Sequence, residues 1–162
     1  MNPPPSTFDA ILEMPFGLLG VQVDWARVTH LAFLADGTPT ADVEHPVIQR
    51  LSQALNAYLR DPMTSFEVPT MAGGTAFQQR VWCAIAEIPP GRTMTYSQLA
   101  EKVGSGPRAV ANACGANPLP LIIPCHRVVA STGLGGFMQG RRAESLSIKS
   151  WLLRHESDAG TA

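Results

Sequence analysis

Residues 117–129, Asn-Pro-Leu-Pro-Leu-Ile-Ile-Pro-Cys-His-Arg-Val-Val, constrain the chain more tightly than any other stretch. Pro118, Pro120 and Pro124 each fix their own φ and push the preceding residue toward extended backbone, so no helix can run through here. The apolar run Leu121-Ile122-Ile123 between them predicts a buried, strand-like strut that ends in the thiol of Cys125. A rigidly placed thiol next to a proton acceptor is a candidate nucleophile, because the thiolate attacks carbon far better than the thiol. His126 follows directly, but chain neighbours rarely face each other. A bridging water is therefore as good an expectation as a direct bond, and a satisfied core histidine is the bland alternative. Cys83 and Cys114 read as inert buried thiols, the commonest state of a free cysteine.

The segments upstream carry explicit helix punctuation. Thr75 with Gln78 and Thr95 with Gln98 each form a capping box. Behind the first, Phe77, Val81, Ala84, Ile85 and Ile88 repeat at helical spacing until Pro89-Pro90-Gly91 stops the helix. Behind the second, Leu99, Ala100 and Val103 face inward. Gly104-Ser105-Gly106 is a tight turn, and Pro107 then stands where a first helical residue loses nothing by lacking its N–H. The helix it opens runs to about Cys114, with Gly115 as its C-terminal residue. Helix, glycine turn, helix is the outline of a helix-turn-helix. Ala109, Ala111 and Ala113 would let the second helix approach a partner closely, or pack it tightly in a core. Arg108 at its start is a long cation placed to project.

Residues 8–34 hold three β-prone runs separated by Pro15-Phe16-Gly17 and Asp24-Trp25, a meander. From His45 to Arg60, Val47, Leu51, Leu55 and Tyr58 mark one buried helical face. Near the C-terminus Ile148, Trp151, Leu152 and His155 form another, with Glu156 extending the stripe. That carboxylate either reaches solvent at a fraying end or turns inward to hold a histidine, as third members of nucleophile–base systems do. The breaker-rich Pro69–Gly74 stretch suggests a boundary, giving subdomains 1–74 and 75–162.

The charge balance changes sign at the same place. Residues 1–74 hold three basic and eight acidic side chains, residues 75–154 nine basic and three acidic, within a net charge of −1. A basic half joined to an acidic half suits orientation on a polyanion. No apolar run reaches the roughly 18 residues of a membrane span. The N-terminus lacks the basic and apolar regions of a secretion signal. Three cysteines without a CxxC pair suit a reducing, cytoplasmic setting. No compact Cys/His quartet exists, so no metal is expected.

Four ordered strings, GTAFQQRVW (74–82), IPPGRTMTYSQLA (88–100), RAV (108–110) and NPLPLIIPCHRVV, resemble the O6-alkylguanine-DNA alkyltransferase family, and the likeness runs from about Phe8 to Glu156. The resemblance implies a mixed α/β fold, with a small ribonuclease-H-like sheet-and-helix subdomain before a mostly helical one. It implies suicidal DNA repair. The alkyl group of O6-alkylguanine, and of O4-alkylthymine, would pass irreversibly to Cys125 after the base is flipped out of the duplex, one group per monomeric protein and without a cofactor. By position, His126 would be the base acting through a water, Glu156 its orienting partner, and Asn117 the support of the active-site turn. Arg108 would fill the gap left by the flipped base. Tyr96 would rotate the nucleotide, Phe137 would line the pocket, and the Val128 backbone would read the base edge. Gln78, Thr95 and Ser131 would lie on the phosphate side. The chain departs from the family pattern in its shorter turn before Arg108, in Cys114 where many members carry asparagine, and in a longer loop over residues 135–149.

Two other classes compete. A lesion-binding module related to the same family would lack a cysteine at position 125, which this chain has. A cysteine hydrolase would need an oxyanion hole and a histidine remote in sequence.

Overall fold

The three N-terminal runs pair as an antiparallel sheet in the order β1 (Ala10–Met14), β2 (Gly17–Val23), β3 (Val28–Leu34). The structure is a computed structural model, and it describes residues 8–40, 43–138 and 143–160. One face of the sheet, carrying Ala10, Leu19, Val21, Val28 and Leu31, is buried. It packs on α1 (Pro46–Arg60), whose Val47, Ile48, Leu51, Leu55 and Tyr58 are buried. His45 caps this helix by accepting the Val47 N–H on its ring at 3.2 Å, and Pro46 follows where no N–H is needed.

Three helices form the second half: α2 (Ala76–Ala86), α3 (Tyr96–Val103) and α4 (Pro107–Gly115). Both capping boxes are present as read from the sequence. Gly104 ends α3 with φ +70, a left-handed backbone that glycine adopts without strain. The three helices enclose a core of Val81, Trp82, Ile85, Leu99, Val110 and Ala113, and the Trp82 indole N–H donates to the Ala113 carbonyl at 2.8 Å. On α4, Val110, Ala113 and Cys114 face this core, whereas Arg108, Ala109, Ala111 and Asn112 are exposed. Gly115 lies in the last turn of the helix and Ala116, not a left-handed glycine, is its cap.

A two-residue parallel ladder joins the halves of the site. β4 (Met94–Thr95) pairs with β5 (Val128–Val129), so the start of α3 is tied to the residues just after Cys125-His126. On the other side the Leu31 N–H of β3 donates to the Pro118 carbonyl at 2.9 Å. The sheet-side core contains Leu119, Leu121, Cys125, Phe137 and Leu152, all from beyond residue 74. The last helix, α5 (Ala143–Gly160), packs Lys149, Leu152 and Glu156 inward, each at most 1 % exposed. Leu152 and Glu156 of the stripe read from the sequence thus lie at the centre of the buried face together with Lys149, whereas its other members, Ile148, Trp151 and His155, are only half-buried.

The expected strut before Cys125 is instead a closed turn. The Ile123 N–H donates to the Leu119 carbonyl at 2.8 Å, and Leu121 adopts φ +78. Extended backbone would have left these amides unpaired in the interior, whereas the turn satisfies one internally. Only Leu121 of the three apolar residues is fully buried. Cys83 is exposed on α2 rather than buried.

Candidate functional site

Cys125 begins a one-turn 3-10 helix, Cys125–Arg127, set on top of that closed turn. Asn117 holds the turn from inside: its Oδ1 accepts the Leu119 N–H and its Nδ2 donates to the Ile123 carbonyl, both at 2.9 Å. A left-handed leucine costs of order 1–3 kcal/mol, so the conformation persists because Asn117 and the packing over-determine it.

The Cys125 side chain is 4 % exposed at the floor of a cavity of about 870 Å³. Around the opening stand Tyr96 from α3, Arg108, Ala111 and Cys114 from α4, and Gly136, Phe137 and Met138 from the following loop. The Cys125 thiol faces Met138 Sδ at 3.7 Å, and Met138 is the second non-glycine residue with positive φ, +51. The Tyr96 hydroxyl donates to the Gly136 carbonyl at 3.3 Å. Gly135 makes room for that tyrosine: a Cβ there would come within 3.0 Å of the Tyr96 ring. Gln139, Gly140, Arg141 and Arg142 of the long loop lie outside the described residues.

Behind the cysteine lies a buried ionic network. His126 Nε2 and Glu156 Oε2 are 2.7 Å apart, and both side chains are 1 % exposed. Arg127 bridges the carboxylate, Nε to Oε1 at 2.8 Å and Nη2 to Oε2 at 3.0 Å, while its Nη1 donates to the Ile88 carbonyl. The Tyr58 hydroxyl of α1 adds a further donor to Oε2 at 2.7 Å. Burial would raise the Glu156 carboxyl, but the hydrogen bonds from His126 and Arg127 overcome it and hold the group down at about 2. Burial lowers the pKa of His126, against the pull of Glu156, so the ring is neutral near pH 7. With Nε2–H directed at the carboxylate, Nδ1 is the acceptor, and among the described residues it has no partner. Burial pushes the Cys125 thiol up to about 11, opposed by Asn117 and Lys149. The resting cysteine is thus protonated and needs an acceptor for its proton.

Lys149 is the residue that sequence reasoning passed over. It is fully buried, and its Nζ donates to the carbonyls of Val128, Leu134 and Gly136 at 2.7, 2.6 and 2.8 Å. One ammonium thus ties α5 to β5 and to the loop that walls the cavity. Burial lowers its pKa to about 8, partly countered by Cys125 and Cys114. Its spacing with Leu152 and Glu156 on one helix face was a usable signal.

Of the residues singled out in sequence, the structure gathers Cys125, His126, Glu156 and Asn117 around one turn, and Tyr96, Arg108 and Phe137 around one cavity. Others are committed elsewhere. Thr95 and Gln78 spend a side-chain oxygen each on their capping boxes. Ser131 is exposed beyond β5. Val128 is buried; its N–H donates to Cys125 O and its carbonyl accepts from Lys149. Both backbone groups are therefore occupied within the protein. Among the described residues no cluster of three or more His, Cys, Asp or Glu could hold a metal, and no helix is long and apolar enough to cross a membrane.

Comparison with known proteins points the same way as this geometry. Residues 76–158 match the model of the 6-O-methylguanine DNA methyltransferase DNA-binding domain. A methylated-DNA–protein-cysteine methyltransferase of Methanosarcina acetivorans is 36% identical over 155 residues, 91% of this chain and 96% of that protein. A probable methylated-DNA–protein-cysteine methyltransferase of Acanthamoeba polyphaga mimivirus is 52% identical over 85 residues, 51% of this chain and only 54% of that protein. Among solved structures, the O6-methylguanine methyltransferase of Mycobacterium tuberculosis superposes with a TM-score of 0.78 at 31% identity, covering 92% of both chains. A Mycobacterium tuberculosis structure in complex with DNA does so with a TM-score of 0.76 at 34% identity, again over 92% of both. With a near full-length relative, a matching domain over half of the chain and matching structures, the chain belongs to the O6-methylguanine-DNA methyltransferase family.

Proposed function

We propose that this protein repairs DNA by moving the alkyl group of O6-alkylguanine, and of O4-alkylthymine, onto its own Cys125. The observation that carries the reading is the position of the thiol, between a cavity edged by the exposed face of α4 and a buried His126–Glu156 pair whose free Nδ1 can take a proton. The exposed α4 residues Arg108, Ala109, Ala111 and Asn112 form a small-residue surface suited to close approach to a nucleic-acid groove.

A stacked guanine cannot reach a thiol 4 % exposed, so the base leaves the duplex at a cost of a few kcal/mol. Arg108 fills the gap, Tyr96 guides the rotation, and Phe137 and Met138 wall the pocket. Cys125 Sγ then attacks the alkyl carbon in line with the breaking bond to O6. The thiol proton passes through a water to His126 Nδ1, giving an imidazolium that Glu156 stabilises without itself being protonated. The guanine departs with the electron pair of the broken carbon–O6 bond and takes the proton back from the imidazolium through water, so that an unmodified guanine stands in the strand and a thioether remains on Cys125. No group among the described residues of the site can cleave a thioether, so each molecule acts once; it works as a monomer and with no cofactor. Its free thiols suit the reducing cytoplasm. The stretch 1–74 serves as a scaffold for the alkyl-transferring stretch 75–162.

Duplex DNA carrying one O6-methylguanine tests this by stoichiometry. Restored guanine should rise in step with protein and stop at one per molecule, while unmodified duplex is unchanged. More lesions repaired than protein molecules present would refute it.

A further inference from the structure

α1 does more than fill the sheet-side core. Its apolar stripe ends at Tyr58, which is 2 % exposed, and a buried tyrosine hydroxyl needs a partner. That partner is Glu156 Oε2 at 2.7 Å, 98 residues away in sequence and the same oxygen that His126 Nε2 contacts. Tyr58 is locked in place. Its ring lies 5.4 Å from Phe66 and edge-on to His155 at 5.1 Å, and its carbonyl is bonded to His155 Nε2 at 2.9 Å.

Resting on the alkyl-transfer reading above, we propose that Tyr58 is a positioning residue that sets the proton affinity of His126 through Glu156, so that the N-terminal subdomain takes part in the chemistry. The carboxylate has four donors: Tyr58 Oη, His126 Nε2, and Nε and Nη2 of Arg127. Every donor that shares its charge weakens its pull on the imidazole proton. Arg127 balances the charge, and Tyr58 shares the oxygen that His126 uses. The ring therefore stays neutral with Nδ1 free, yet its Nε2–H is still aimed. The charged and titratable groups around the pair are Cys125 and Arg127 of the 3-10 turn, Tyr58 of α1, and Lys149 and His155 of α5. Of these only Tyr58 and Arg127 bond the carboxylate among the described contacts.

Tyr58→Phe keeps the ring and its packing and deletes one donor. The unshared carboxylate should then favour the imidazolium. The rate of transfer from free O6-benzylguanine, which removes DNA binding from the measurement, is followed across about pH 5–8, where histidine titrates. The acid limb of the variant should lie higher by roughly 0.5–1 pH unit, the low end of what one hydrogen-bonding partner produces. The His126 ring, followed by NMR, should titrate higher by the same amount, and affinity for duplex DNA should not change. Superimposable profiles and titrations would overturn the proposal, as would a loss of rate equal at every pH, which marks a prop with no influence on the proton. If the wild-type protein itself transfers no benzyl group, the reading of the function fails instead.

Discussion

Replacing Lys149 by methionine should damage both stability and transfer, and the structure allows the size to be worked out. The side chain is fully buried and makes three bonds to carbonyls at 2.6–2.8 Å. Each charge-assisted bond contributes about 1.5–3 kcal/mol. Burying an ammonium costs several kcal/mol, which offsets most of that sum and is visible in the lowered pKa of about 8. The loss in Lys149→Met is therefore set by the carbonyls left behind. Val128 is fully buried, whereas Leu134 and Gly136 are half-buried and open to water once the lysine is gone. An unsatisfied buried carbonyl costs about 1–3 kcal/mol. A net loss of about 2–3 kcal/mol, at roughly 2–4 °C per kcal/mol for a chain this size, lowers Tm by roughly 5–10 °C. Transfer should fall further, by at least about tenfold, because the loop holding Phe137 and Met138 loses its tie and small misplacements cost up to ~10²-fold. Thermal melts paired with transfer rates on free O6-benzylguanine measure both. An unchanged Tm with an unchanged rate would show that the three carbonyls do not depend on Lys149.

Other perturbations separate the remaining parts of the site. Glu156→Gln should slow transfer by up to roughly 10²–10⁴-fold, the range for lost acid–base assistance, and raise the apparent pKa of the Cys125 thiol; an unchanged rate and thiol titration would reduce Glu156 to a structural charge. Arg108→Ala, at the exposed rim, should slow repair in duplex DNA by about tenfold or more yet spare reaction with the free base, since only the duplex needs flipping; equal slowing on both would mean a structural role. Stability should fall on acidification. His126 has a folded pKa below 6.5, so the unfolded chain takes up its proton first and stability declines as pH falls below about 6.5. Glu156 titrates at about 2 when folded against 4.5 unfolded, so its share, about 3 kcal/mol at roughly 1.4 kcal/mol per pH unit, is present above 4.5 and lost as pH falls toward 2. A Tm that stays flat from neutral pH into the carboxylate range would contradict the buried network.

Local rules made much of this fold legible. The capping boxes at Thr75 and Thr95, Pro107 at the start of α4, and the stripe from Val47 to Tyr58 are signals within one or two helical turns, and each appears where its pattern placed it. What local rules missed depends on distant partners. Three prolines read as extended chain, but the Leu121 turn is held by Asn117 and by the sheet-side core, and that packing overrides the backbone preference. Lys149 and Arg127 carried no local signal of burial because their carbonyl and carboxylate partners come from other elements. Tyr58 read as one more apolar residue because its hydroxyl meets Glu156 only after α1 and α5 pack together. The candidate nucleophile stood out from Cys125-His126, whereas the protonated resting thiol follows only from burial.

Mass mapping of the protein after incubation with methylated duplex DNA tests the central claim most directly. The account predicts that a single methyl group appears on the peptide containing Cys125, that Cys125→Ser acquires none, and that the variant still binds duplex DNA with nearly unchanged affinity, since binding rests on contacts elsewhere. A methyl group on the exposed Cys83 or on Cys114, or methylation that persists in Cys125→Ser, would contradict it.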